Sequence, residues 1–182
     1  MNWPAITFIL VTIYLAVFAE SALEGTRFLG AQVDLLPGLI VYSALTFSQA
    51  MTVFIALFAA LLFDSLSANP LGTTALPLLC IGGIVHRNQE FLLRQHAYAQ
   101  FILGCAASAI APVFSVIILL GLGQQPLIGA ASIWQWIVMS VGGGVATPAW
   151  FWIFGKLGGA LRYPVEVESS FRPDREIARG RH

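Results

Sequence analysis

The chain has 182 residues, of which 58% are hydrophobic and only 10% charged, and its mean hydropathy is +0.81. A soluble domain carries about 25% charged residues, so this composition excludes one and leaves an integral membrane protein. The formal net charge of +0 offers neither the basic surplus of a nucleic-acid binder nor a long acidic tail.

The N-terminus (Met1-Asn2-Trp3-Pro4) has no Lys/Arg-rich segment and no small-residue cleavage site, so the first apolar run reads as a retained membrane helix and not a signal peptide. Pro4 to Ala19 is free of charge and would extend about 24 Å as a helix, enough for a first span with its flanks. Glu20 to Asp34 gathers Glu20, Glu24, Arg27 and Asp34 with two glycines. That segment is expected to be a loop outside the hydrocarbon.

Leu35 to Phe63 is again uncharged, and as one helix its 29 residues would reach about 43 Å, too long without strong tilt. Two shorter helices with a turn near Ser48 are expected instead. Asp64 to Leu71 (DSLSANPL) is a turn by composition. Gly72 to Val85 forms the next span, with Thr73 or Thr74 able to cap its start and Pro77 tolerated near its first turn.

His86 to His96 (HRNQEFLLRQH) is the next charged stretch, and its Phe91, Leu92 and Leu93 suggest a helix lying at the interface. Span five, Ala97 to Leu122, contains Pro112, and span six, Ala131 to Phe154, contains Pro148 after Gly142-Gly143-Gly144; a bend is expected at Pro112 and a kink or close helix contact at Pro148. Trp134 and Trp136 lie about 24 Å along a helix from Trp150 and Trp152, the separation of two interfacial aromatic belts. Residues 1–161 thus read as one transmembrane helical domain, an all-α bundle of about six spans. Residues 162–182 read as a short polar tail.

Arg87 and Arg94 lie between spans four and five. Lys156, Arg162 and four further arginines follow the last span, leaving only Arg27 elsewhere. The positive-inside rule places that loop and the tail in the cytoplasm. Five spans and six both satisfy the charges, and helix length favours six. The expected location is the bacterial inner membrane, multi-pass, with a cytoplasmic C-terminus.

Intramembrane charge would mark a proton or ion pathway, and none falls in the middle of a span. Asp34 and Asp64 stand at span ends, where capping or solvation is the ordinary role. Thr12, Ser43, Thr52, Ser108, Ser115 and Thr147 are expected to bond back to their own helices. His86, His96 and His182 are not set against a buried Ser, Cys or carboxylate, and no phosphate loop or hydrolase motif occurs, so an enzyme and a bound cofactor are not expected. Cys80 and Cys105 sit in apolar stretches without metal-ligand spacing, and neither a disulfide nor a metal site is expected. Small-residue pairs four apart, Ala56/Ala60, Gly104/Ser108 and Gly155/Gly159, allow helices to approach closely, within the bundle or with a partner.

From Leu35 to Arg87 runs LLPGLIVYSAL, a turn, and then FIALFAALLFDSLSANPLGTTALPLLCIGGIVHR. This stretch resembles the MreD family of bacterial rod shape-determining membrane proteins, in which a leucine-rich helix ends in Asp and is followed by a Pro-Leu-Gly turn. Asp64, Pro70, Leu71 and Gly72 match that pattern. Val33-Asp34 stands where the family commonly has Pro-Asp. The resemblance implies a non-enzymatic scaffold for lateral peptidoglycan synthesis. Its partners would be an MreC-like bitopic protein, the MreB filament, and the wall-synthesis glycosyltransferase and transpeptidase. Asp34, Asp64, Pro70, Leu71 and Gly72 would be its structural or partner-binding motif. Arg87, Arg94, Lys156 and Arg162 would form a basic cytoplasmic face. The competing class is a small-molecule uptake subunit, similar to the substrate-binding components of energy-coupling vitamin transporters, whose fold could be shared.

The topology is open to a direct check. With Cys80 and Cys105 replaced, a cysteine introduced at Ser67 should react with an impermeant thiol reagent on intact cells and one at Gln89 should not. A cysteine at Ser21 should also react; its protection would establish five spans.

Overall fold

A computed structural model of the protein describes residues 3–22, 27–28, 31–67, 70–89, 96–124 and 129–161. Its elements are α1 (Trp3–Ala22), β1 (Arg27–Phe28), β2 (Ala31–Gln32), α2 (Leu36–Thr46), α3 (Gln49–Leu66), α4 (Ala75–Arg87), α5 (Ala97–Gly121) and α6 (Ala130–Leu161). The all-α membrane bundle is therefore present, with one small antiparallel hairpin in which Arg27 pairs with Gln32 and Phe28 with Ala31. Three helices are long and apolar enough to cross a bilayer, α3, α5 and α6; α1, α2 and α4 contribute shorter apolar segments.

The uncharged run from Leu35 to Phe63 divides into two helices at Phe47 and Ser48, both of which are extended. Phe47 still donates its N–H to Ser43 O at 2.8 Å, and the Thr52 hydroxyl donates to the carbonyls of Ser48 and, across the turn, Ser43. The break is short because these bonds satisfy the helix ends locally.

The centre of the bundle is α2, which packs against all five other helices. Its buried residues run round the whole helix, from Leu36, Leu39 and Ile40 to Val41, Ser43 and Leu45. A helix apolar on every side belongs inside. Ile9, Ile13 and Val17 of α1, Ile55, Ala56, Ala59 and Ala60 of α3, and Leu78 and Ile81 of α4 complete the core.

On the other side of α2, α5 and α6 meet through small residues. A Cβ at Gly143 would overlap the Ser108 hydroxyl and lie 2.5 Å from Ser108 Cβ, and one at Gly104 would overlap the Thr147 side chain. Gly38 of α2 approaches from the third direction, where a Cβ would fall 2.9 Å from Thr147 Oγ1. Thr147, fully buried, donates its hydroxyl to Gly143 O at 2.8 Å, so the wedge between three helices has its polar atom paired. Of the paired small residues in the sequence, Ala56/Ala60 and Gly104/Ser108 lie inside the bundle, whereas nothing approaches Gly155.

Several expectations are corrected. Glu20 belongs to the last turn of α1 and is only 6% exposed, because the helix outlasts the apolar run and turns this residue inward. The segment that follows includes the hairpin. Pro112 and Pro148 both stand within helices, and the close helix contact expected beside Pro148 is made by Gly143 and Gly144 against α5. The last helix continues past Phe154 to Leu161. The Phe91–Leu93 cluster, Arg94, Arg162 and the rest of the tail lie outside the described residues. Cys80 and Cys105 are both free.

Gly143→Val should therefore lower the thermal unfolding midpoint of the detergent-purified protein, by the equivalent of about 1–3 kcal/mol for an overpacked core. Gly83→Ala, on a backbone that nothing approaches within 4 Å, should leave it unchanged or slightly higher.

Candidate functional site

The sequence motif is built round one carboxylate. Asp64 stands in the last turn of α3, is 2% exposed, and faces the chain entering α4. Its Oδ2 accepts the N–H of Gly72 at 2.7 Å and that of Thr74 at 3.3 Å, while Oδ1 accepts the Thr74 hydroxyl at 2.5 Å. The charge lies at a helix N-terminus, where unpaired N–H groups and the helix dipole favour an anion.

Gly72 adopts φ +94° with open space around it, so its requirement is conformational: a side chain would fit, but an L residue would be strained there. Thr73 bonds back to Pro70 O through both its N–H and its hydroxyl, tightening the turn. Thr74 occupies the N-cap position of α4 without making a side-chain cap. Its hydroxyl goes to Asp64 instead, which corrects the expected capping role. Pro70 is half-buried and Leu71 is 71% exposed.

Asp34 lies in a second knot, at the start of α2. Its Oδ1 accepts the Leu36 N–H at 2.9 Å, and Glu20 Oε1 accepts the Leu35 N–H at 2.5 Å. Two carboxylates thus serve consecutive orphan donors of one helix. Burial pushes the Asp34 carboxyl above the usual carboxylate range, opposed by its bond from Leu36. Gln32 donates its side-chain amide to Glu20 O at 3.0 Å. Its backbone exchanges two bonds with the Gln135 side chain of α6, at 3.0 and 2.8 Å. Asp34 and Asp64 secure different helices, and no hydrogen bond joins them among the described residues.

Glu20, Gln32 and Gln135 were not singled out by the sequence. Glu20 continues the spacing of Ile13 and Val17, a signal that could have placed it on the buried stripe.

Of the basic residues, Arg87 ends α4 and is exposed. Lys156 is exposed and its Nζ lies 4.1 Å from the centre of the Trp152 ring, a cation–π arrangement suited to the interface. The adjoining His86 bonds through Nδ1 to Ala44 O at 3.0 Å, tying the end of α4 to the end of α2. Among the described residues no group of His, Cys, Asp and Glu is arranged to hold a metal.

A family model described as rod shape-determining protein MreD matches residues 3–157. No curated protein and no solved structure matches.

The Asp64 geometry distinguishes two substitutions. In Asp64→Asn the remaining oxygen can take both backbone donors while the amide donates to the Thr74 hydroxyl, which can reverse its role. Asp64→Ala leaves three donors unserved. The alanine variant should lose about 2–3 kcal/mol in unfolding free energy and the asparagine variant under about 1 kcal/mol. Gly72→Leu should lose about 1–2 kcal/mol through its backbone. Equal losses for Ala and Asn would show that charge, and not bonding, holds the turn.

Proposed function

The chain belongs to the MreD family of rod shape-determining proteins, and on that premise we propose that it is a non-enzymatic membrane scaffold of cell elongation. In this reading it sits in the bacterial cytoplasmic membrane as a multi-pass protein with its C-terminus in the cytoplasm. It holds an MreC-like bitopic protein beside the enzymes of lateral wall synthesis, with Arg87, Arg94, Lys156 and Arg162 facing the MreB filament or anionic lipid.

The observation that carries the proposal is the disposition of the polar groups. Thr12, Ser43, Thr52, Asp64 and Thr147 all bond the chain's own backbone, which fixes helix ends and crossings and leaves the outer faces apolar. Val11, Leu61, Ile84, Ile117 and Val145 are among the large apolar residues exposed there. A rigid bundle with apolar outer faces suits binding to other membrane helices. The turn at Pro70, Leu71 and Gly72, held from beneath by Asp64 and exposing Leu71, offers a defined surface at one end.

The transport reading calls for a polar pocket open to the outside. The groove of about 700 Å³ along α6 is instead lined by apolar residues from Val33 to Ala149, which lends that reading no support.

Depletion in a rod-shaped host should make cells round and swollen, with no rescue by added nutrients. The purified protein should retain an MreC-like partner through its membrane helices. Cells that keep their shape and lose uptake of a vitamin would overturn the scaffold reading.

A further inference from the structure

Glu20 has one carboxyl oxygen in use and one without a partner. Oε1 accepts the Leu35 N–H, whereas Oε2 is buried and no hydrogen bond reaches it, in a residue only 6% exposed at the end of an apolar helix. The next N–H along, that of Leu36, goes to Asp34 Oδ1. Two carboxyl groups therefore stand side by side over one turn of backbone. The groups that act on the charge of Glu20 are the Asp34 carboxyl, against it, and the Leu35 N–H, in its favour. Gln32 of β2 and Gln135 of α6 bring only neutral amides to the knot, and Asp64, on the neighbouring helix α3, is occupied with Gly72 and Thr74.

We infer that Glu20 and Asp34 form a binding site for one proton, carried on Glu20 Oε2 while Asp34 stays ionised, and that this proton latches α1 to the start of α2. An ionised oxygen buried without a partner is costly, and two adjacent carboxylates resist carrying charge together. A proton removes both costs at once. A metal ion would ask for more ligands, and among the described residues no third His, Cys, Asp or Glu joins the pair. Glu20 takes the proton because it is enclosed, while the half-buried Asp34 keeps contact with solvent. Their surroundings thus drive two similar acids to different protonation states.

The latch ties together four elements. Glu20 closes α1 on Leu35, its own carbonyl holds the Gln32 side chain of β2, and the Gln32 backbone is bonded to Gln135 of α6. Loss of the proton to water would put two like charges on one turn and leave a buried anionic oxygen bare. The scaffold proposal is not a premise here, since a purified chain shows or lacks the proton whatever its partners are.

The test uses the full chain in detergent micelles. Infrared spectra at neutral pH should contain the C=O stretch of a protonated carboxyl that Glu20→Gln removes; the amide keeps an oxygen for the Leu35 N–H. Asp34→Asn takes away the like charge, so the same band should be lost at a lower pH than in the wild type. Stability carries a second signature. The unfolded chain, with an ordinary Glu near about pH 4.3, has released a proton that the native state still holds, so rising pH favours unfolding by up to about tenfold per pH unit. The thermal midpoint should fall from mildly acidic to mildly alkaline pH in the wild type, and much less in Glu20→Gln. Arg27→Gln should leave both the band and the fall in place. The inference is overturned by the lack of a Glu20-dependent band at neutral pH or by equal pH slopes in wild type and Glu20→Gln. The same losses in Arg27→Gln would mean an ion pair, and a magnesium- or calcium-dependent rise in midpoint that Glu20→Gln abolishes would mean a bound metal; either overturns it too. If Glu20→Gln does not fold, the wild-type band and its shift in Asp34→Asn decide alone.

Discussion

Thr147 is the point on which the packing of the bundle turns. Its side chain fills the space left by the absent Cβ atoms of Gly38 on α2 and Gly104 on α5, and its hydroxyl is returned to its own helix at Gly143 O. Between apolar helices in a membrane the hydrophobic effect supplies no net attraction, so association rests on close van der Waals contact and on satisfied polar groups. The junction supplies both at Thr147, whereas the Ser108 hydroxyl beside Gly143 is buried without a hydrogen-bond partner and does not make the expected bond back to its own helix. The junction brings α5 and α6 to α2 from one side, which leaves α1, α3 and α4 to enclose α2 from the other.

The carboxylates show a related economy of design at the helix ends. An isolated charge near hydrocarbon is costly, yet Asp64 and Asp34 each lie where a helix begins and presents unpaired N–H groups. Each acid is stabilised by a helix that needs acceptors in any case. Glu20 is a harder case, because Oε1 is bonded to Leu35 while Oε2 is buried without a partner. The knot at the start of α2 is therefore less completely satisfied than the turn at Asp64.

The helices were legible because uncharged runs bounded by polar breaks are what a bilayer requires, and the division of residues 35 to 63 followed from length alone. Composition also marked Asp64 to Leu71 as a turn, although α3 runs on to Leu66 and keeps Asp64 helical. What sequence could not show were choices among equivalent partners. Thr74 could cap α4 or bond Asp64, and proximity to Asp64 decided it. Glu20 looked like the first residue of a loop because its sequence neighbours are polar, whereas its helical register puts it in line with Ile13 and Val17. The link from Gln32 to Gln135 spans 103 residues, and neither glutamine has a local pattern that names the other.

The shortness of α4 has a consequence for the surrounding membrane. Thirteen residues, Ala75–Arg87, rise only about 20 Å, against a hydrocarbon thickness of about 30 Å. Unlike α2, which is short but enclosed by protein, α4 turns Leu76 and Ile84 outward, 54% and 60% exposed. Where α4 crosses the bilayer, thinning of the lipid beside it is one way to meet the helix ends, at a fraction of a kcal/mol per Å of mismatch. The protein would carry a shallow dent in the bilayer with it, and neighbours with similarly short apolar faces would be drawn to the same spot by the elastic energy of the membrane.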